Sequence, residues 1–212
     1  MNDALQAAWR TKAATIIKQL ARRNMTGHYC ASASEVPALM HELIAEGSSV
    51  TWGGSVTLAE AGVRDELARG TWHLLDRADA TTPEQQRDMW RDRASADWML
   101  MSTNAITEAG ELVNIDGNGD RLALLVHGPA HVLVVAGMNK VVTDVDAGIK
   151  RVRTHACPPN AARLHTNTPC ELTGVCAECH GPGCMCCETV ITRHSRHADR
   201  IHVVLVGEPL GY

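Results

Sequence analysis

The chain has 212 residues, of which 45% are hydrophobic and 21% are charged, and its net charge is −4. This composition is that of a globular protein, so a disordered or low-complexity chain is excluded. The excess of negative charge argues against a nucleic-acid partner and against an acidic membrane surface.

The cysteines are distributed unevenly. Six of the eight lie between positions 170 and 187. The N-terminus carries charge throughout, and no apolar run approaches the roughly 20 residues of a membrane span. We therefore expect neither a secretory signal nor a membrane span, and a cytoplasmic location in which thiols stay reduced. A chain of this length buries a core without disulfides, so the cysteines indicate a metal or redox site.

The first half of the chain alternates helices and strands at short spacing. Helices are predicted over residues 3–23, from an N-cap at Ser34 to Gly47, over residues 56–67 and from Pro83 onward. Strands are predicted at Gly27–Ala31, Ser48–Trp52, Thr71–Leu75 and Asp97–Ser102. This alternation is typical of a parallel sheet with helices on its faces, and ligands bind such sheets beyond the carboxyl ends of the strands.

The second half continues the pattern and then departs from it. Strands are predicted at Glu111–Asp116 and Ile201–Val206, a helix is predicted over residues 144–152, and the apolar runs Leu122–Val126 and Val132–Gly137 have the length of buried strands. Residues 155–200, here called the cysteine segment, are predicted to form a long loop-like insert. We predict one α/β domain over residues 1–212, within which the cysteine segment is a metal-binding insert.

The spacing of the cysteines favours a metal centre. Cys176 and Cys179 are separated by two residues, so one loop can direct both sulfurs at the same centre. Cys170 would supply a third sulfur, and the group Cys184–Cys187 a fourth. Zinc and a [4Fe–4S] cluster both accept four thiolates, but three ligands before a single downstream one favour iron–sulfur over a zinc staple.

Two stretches after predicted strands carry polar groups. Gly53, Gly54 and Ser55 separate a strand from a helix, where backbone N–H groups can approach a phosphate or carboxylate. A plain N-capped turn is the competing interpretation. Asn104 and Asn114 follow the next strand.

Two carboxylates accompany those amides. Glu108 and Asp116 could serve as general base or nucleophile if they share a cleft. Ordinary turn chemistry is the competing interpretation, and we favour it for Asn118. Lys140, after another predicted strand, could neutralise an anionic ligand, although lysines in such positions are usually solvated. No Gly-x-Gly-x-x-Gly nucleotide fingerprint occurs.

Together these motifs resemble a known family. The segments that carry the resemblance are Trp52–Glu60, Ser102–Asn118, Ala136–Val142, Pro158–Arg163, Pro169–Cys170, Cys176–Cys179 and His202–Val206. They are similar to the lactate-utilisation (LUD) domain family, in particular its LutC-like members. The resemblance implies a NagB/RpiA/CoA-transferase-like α/β fold, whose members bind sugar phosphates or CoA thioesters at the strand-end loops. It also implies a part in oxidising L-lactate to pyruvate, alongside iron–sulfur partner proteins.

The resemblance adds expectations about individual residues. The expected ligands of a [4Fe–4S] cluster are Cys170, Cys176, Cys179 and Cys186, whereas Cys184 and Cys187 depart from the family pattern. The family supplies no catalytic residues, so the expectations for the pocket come from the motifs themselves. The expected residues of the pocket for a small anion are Gly53, Gly54, Ser55, Thr57, Asn104, Asn139 and Lys140, with Glu108 and Asp116 as candidate catalytic groups. A homo-oligomer is also expected.

Two other functions are compatible with the same residues. One is a sugar-phosphate isomerase or acyl/CoA transferase in which zinc only holds the cysteine segment together. The other is a regulatory or assembly subunit without turnover of its own.

Overall fold

Six parallel strands form the central sheet of the computed structural model, which describes residues 2–212. In sheet order these strands are β1 (Thr26–Cys30), β10 (Ile201–Val206), β7 (His131–Gly137), β4 (Trp98–Ser102), β2 (Ser49–Trp52) and β3 (His73–Leu75). Each neighbouring pair runs parallel, so the carboxyl ends of all six strands lie at one edge. The predicted α/β fold with a parallel-sheet core is confirmed.

Helices cover both faces of this sheet, and its strands are therefore buried on both sides. Along β7, Val132 and Val134 pack into one core, and Leu133 and Val135 pack into the other. The helices of the first face are α1 (Asp3–Arg22) and α6 (Asp120–Val126), and those of the second are α2 (Val36–Leu43), α3 (Val56–Glu60) and α4 (Val63–Arg69). No helix among residues 2–212 is long and apolar enough to cross a membrane.

A second sheet of four short strands was not predicted. Its order is β8 (Val141–Val142), β5 (Ala105–Thr107), β6 (Leu112–Asp116) and β9 (Glu188–Thr192). Strand β6 pairs antiparallel with both β5 and β9. Since β9 comes from the cysteine segment, this sheet attaches that segment to the main domain.

Three predicted elements differ from the structure. The run Leu122–Val126 belongs to α6 and is not a strand. The predicted helix 56–67 is broken into α3 and α4 at Gly62, whose φ is +69°. The second helix of the chain begins at Val36 after a 3-10 turn, so Ser34 does not cap it.

The cysteine segment is more regular than the predicted loop. The remaining helices of the chain are α5 (Pro83–Ala94), α7 (Val145–Arg151), α8 (Cys157–Leu164) and α9 (Pro169–Thr173), with a π-helical stretch at Val152–Ala156 between α7 and α8. Two helices and strand β9 therefore lie within residues 155–200.

Candidate functional site

A cavity of about 390 Å³, here called the strand-end cavity, opens at the carboxyl ends of β2, β4 and β6. Of the residues expected to form an anion pocket, it is lined by Gly53, Gly54, Ser55, Thr57, Asn104, Asp116 and Lys140. Asn118, for which the sequence favours a role in the turn, lines this cavity as well.

Glu108 and Asn139 do not lie with them. The Glu108 carboxylate is on the surface, where it accepts a hydrogen bond of 2.7 Å from Lys12 on α1, so it cannot act with Asp116. The Asn139 side chain binds the C-terminal tail instead, through Leu210 and Gly211. Asn139 is therefore linked to the cavity only through this segment, whose residue Tyr212 lines the cavity wall.

Ser55 caps a helix, which is the alternative to ligand binding that the sequence also predicts. Its hydroxyl accepts a hydrogen bond from the Leu58 N–H at 3.3 Å and so caps α3. The capped turn is therefore present, and its residues still line the cavity.

Arg121 is a largely buried cation beneath the glycine turn. Its Nη1 donates to the Ser102 carbonyl (3.0 Å) and the Asn114 side chain (2.7 Å). Its Nη2 donates to the Asn104 side chain and the Ile115 carbonyl, each at 3.1 Å. Asn104 therefore supports Arg121, because its side-chain oxygen accepts hydrogen bonds from the guanidinium and from the Ile115 N–H.

Lys140 is buried, contrary to the solvated position that is usual for such a lysine. Its side chain is 4% exposed, and its Nζ donates to Thr57 Oγ1 at 2.7 Å and to Ser102 Oγ at 3.0 Å. The pKa of Lys140 is lowered to about 7, chiefly by burial and in addition by the nearby Arg151 and Arg121, while Glu60 opposes them.

The charged lining of the strand-end cavity is mainly basic. Four basic residues, namely Arg77, Arg121, Lys140 and Arg163, line it against the two acidic residues Asp116 and Asp120. Asp120 lies 3.1 Å from the buried Arg93 and 3.8 Å from Arg77, and Asp116 lies 3.9 Å from Arg121. With Lys140 counted as neutral, the three arginines still exceed the two carboxylates by one positive charge.

A second cavity of about 190 Å³, here called the cysteine cavity, lies beside the first. The cysteines that line it are Cys157, Cys170, Cys176, Cys179, Cys184 and Cys186. The four expected ligands are therefore together, and Cys187 is exposed outside the lining. Cys157, which begins α8, was missed because it is remote from the cluster in sequence.

The sulfurs surround a volume instead of meeting at one point. Within residues 2–212, three metal-ligand atoms lie within 4.8 Å of one another only at His131, Asp199 and His202, near the amino ends of β7 and β10. In the cysteine cavity, Cys157 and Cys186 form a close pair with 3.3 Å between their sulfurs. The hydrogen bond from Cys157 lowers the pKa of Cys186 to about 7, whereas the pKa of Cys157 is raised.

The two cavities have a common wall. Cys157 and Met185 line both of them. The wall adjoins the end of β6, where the Cys187 N–H donates to the Asp116 carbonyl at 3.0 Å. The Asn160 side chain also contacts the Met185 sulfur at 3.5 Å.

Comparison with known proteins identifies similar chains. The family model described as "LUD domain" matches residues 13–206. The structure resembles that of a DUF162 family protein from Deinococcus radiodurans, with a TM-score of 0.53 and 13% identity over 93% of this chain and 97% of that one. No curated protein matches the sequence.

Two solved structures resemble smaller parts of the chain. eIF2B delta from Chaetomium thermophilum has a TM-score of 0.36 and 15% identity over 58% of this chain and 51% of that chain. Ribose 5-phosphate isomerase from Plasmodium falciparum has a TM-score of 0.33 and 13% identity over 54% of each chain.

The packing of Gly53 on Arg121 yields a stability prediction. A Cβ atom at Gly53 would lie 3.2 Å from Arg121 Cδ, and the guanidinium is fixed by four hydrogen bonds. Gly53→Ala should therefore lower the free energy of unfolding by about 1–3 kcal/mol in urea denaturation. Gly54→Ala is the matched control, because its Cβ would meet only the flexible end of Arg77 at 3.6 Å. Equal stability of the two variants would contradict this role of Arg121.

Proposed function

Because the chain belongs to the LUD domain family, we propose that it is an iron–sulfur, redox-linked protein that takes part in oxidising L-lactate to pyruvate. The cysteine cavity would hold a [4Fe–4S] cluster, and the strand-end cavity would hold a small carboxylate or phosphate ligand. The observation that carries the proposal is the wall of Cys157 and Met185, which places a thiol-lined cavity directly against a basic one.

The cysteine cavity has the donors and the size that a cluster needs. A [4Fe–4S] cluster takes four thiolates, and six thiols line this cavity. Its volume of about 190 Å³ is more than ten times the roughly 10–15 Å³ that holds one water molecule, so it suits a cluster better than one zinc ion. The proposed ligands remain Cys170, Cys176, Cys179 and Cys186.

A bound cluster supplies storage and transfer of single electrons. The chain's own contribution is to shield the region between the two cavities, where Ile115, Val152 and Ala156 form a small apolar cluster with Cys157. Tyr212 and Cys186 pack against that cluster. This packing would limit the access of water to Cys157, and iron–sulfur partner proteins would exchange electrons at the outer side of the cysteine segment.

The strand-end cavity would bind its ligand through positive charge. The Nη1 and Nη2 groups of Arg121 are engaged by four neutral oxygens, and its Nε lies 3.9 Å from the Asp116 carboxylate. The basic side chains proposed for direct contact with the ligand are therefore Arg77, Arg163 and Lys140. The Arg77 side chain is 61% exposed and lies 3.8 Å from the Asp120 carboxylate, so its guanidinium would be shared between Asp120 and the ligand. A small carboxylate such as L-lactate or pyruvate fits these groups and the volume.

Metal content tests the cluster. Protein purified without oxygen should contain about four iron and four sulfide per chain, with broad visible absorption. Cys179→Ser should lose both, because it removes a proposed ligand. Cys187→Ser is the matched control and should keep them, because that thiol is exposed outside the cavity.

Two results would contradict this assignment. A colourless wild-type protein with one zinc per chain would favour a zinc staple with isomerase or acyl-transfer chemistry in the strand-end cavity. Equal loss of iron in Cys179→Ser and Cys187→Ser would show that the cavity does not define the ligands.

Charge at the mouth of the strand-end cavity tests the ligand. Gly54 is exposed and lies beside the Arg77 guanidinium, so Gly54→Asp would place a competing carboxylate there. We expect it to weaken the binding of pyruvate and L-lactate at least about tenfold, or roughly 1.4 kcal/mol, in isothermal titration calorimetry. Gly54→Asn has nearly the same shape without the charge and should bind as the wild type does. Equal affinities of the two variants would argue against a ligand held by charge.

A further inference from the structure

We propose that Lys140 is a nucleophilic amine that forms an imine with the carbonyl carbon of a small 2-oxo acid in the strand-end cavity. The inference rests on the proposed function, because it takes the ligand of this cavity to be such an acid. It goes further by assigning a covalent step to one side chain.

The position of Lys140 suits a nucleophile better than a surface cation. Lys140 lines the cavity, and its Nζ donates to the hydroxyl groups of Thr57 and Ser102, two neutral residues that line the cavity too. A buried lysine held as a structural cation would instead be expected to have a carboxylate partner.

The charges around Lys140 favour the neutral amine. Arg151 of α7 and Arg121 of α6 both raise the local positive potential, and each guanidinium is held in place by carbonyl or amide oxygens. Glu60 of α3 is the charged group that opposes them, and its carboxylate is engaged by the Gly211 N–H at 2.6 Å. With its pKa lowered to about 7, a large share of Lys140 is unprotonated at neutral pH, whereas an ordinary lysine is almost wholly protonated. Burial and a neighbouring cation are the two known means of activating a lysine for this chemistry.

The reaction balances without another reagent. The Nζ lone pair attacks the carbonyl carbon, and the carbonyl oxygen takes up a proton to give a carbinolamine. That oxygen then leaves as water while the nitrogen loses its protons and the C=N bond forms. The Ser102 and Thr57 hydroxyls lie within hydrogen-bond reach of Nζ and can relay these protons. The ligand's carboxylate would face Arg77 or Arg163.

Reductive trapping tests the inference directly. Cluster-loaded protein is incubated with pyruvate and sodium cyanoborohydride, and the adduct is located by intact mass and peptide mapping. The chain has only four lysines, and the other three, Lys12, Lys18 and Lys150, are exposed. We expect one adduct per chain at Lys140, a yield that rises with pH through about 7, and no adduct with L-lactate, which has no carbonyl group.

Variants separate a nucleophile from a cation that merely binds. Lys140→Arg keeps a positive charge but cannot form the imine, so it should give no adduct, and Lys150→Arg should react as the wild type does. Ser102→Ala should slow trapping at least about tenfold through loss of a proton relay. If Lys140→Arg does not fold, the peptide map of the wild type still decides.

The outcomes distinguish this inference from the proposed function. If calorimetry shows that pyruvate binds but no adduct forms, or if the adducts fall on the exposed lysines, the imine is refuted while the ligand assignment stands. If neither pyruvate nor L-lactate binds, the ligand assignment and the imine fail together.

Discussion

The candidate site depends on one buried guanidinium. Burying a cation costs several kcal/mol, and Arg121 offsets that cost with four hydrogen bonds to neutral oxygens and with the Asp116 carboxylate 3.9 Å from its Nε. Two of those oxygens are the carbonyls of Ser102 at the end of β4 and Ile115 in β6, so the cation joins the central sheet to the second sheet. The same residue requires a glycine at position 53 and contributes to the low pKa of Lys140.

The second sheet determines where the cysteines lie. Strand β9 pairs with β6, and the Cys187 N–H extends this pairing by donating to the Asp116 carbonyl at the end of β6, so the cysteine segment is anchored beside the strand-end cavity. Cys157 at the start of α8 then faces both cavities. A thiol-lined site and a basic site thus adjoin as a consequence of strand pairing, and this is the geometry that a redox centre acting on a nearby ligand would need.

The sequence was sufficient for elements that carry a strong local pattern. The buried strands β4, β7 and β10 are mainly apolar runs, and the glycine turn and the cysteine pair Cys176 and Cys179 have distinctive spacings. It failed where the pattern is short or ambiguous. Leu122–Val126 is a run of five residues that suits a buried strand or a buried helix equally well, and only the left-handed Gly119 before it marks the start of α6.

Tertiary contacts explain the remaining differences. Nothing near Lys140 in sequence reports that Thr57 and Ser102 enclose it, because both come from distant parts of the chain. Glu108 looked equivalent to Asp116, but the turn between β5 and β6 directs it toward α1 and Lys12. Cys157 joins the cysteine cavity through the position of α8, which the spacing of the later cysteines does not encode.

The most direct measurement of coupling between the cavities is the electron paramagnetic resonance spectrum of the reduced, cluster-loaded protein with and without pyruvate. Adjoining cavities predict that saturating pyruvate changes the spectrum, and an unchanged spectrum under conditions where calorimetry shows bound pyruvate would contradict a shared redox site.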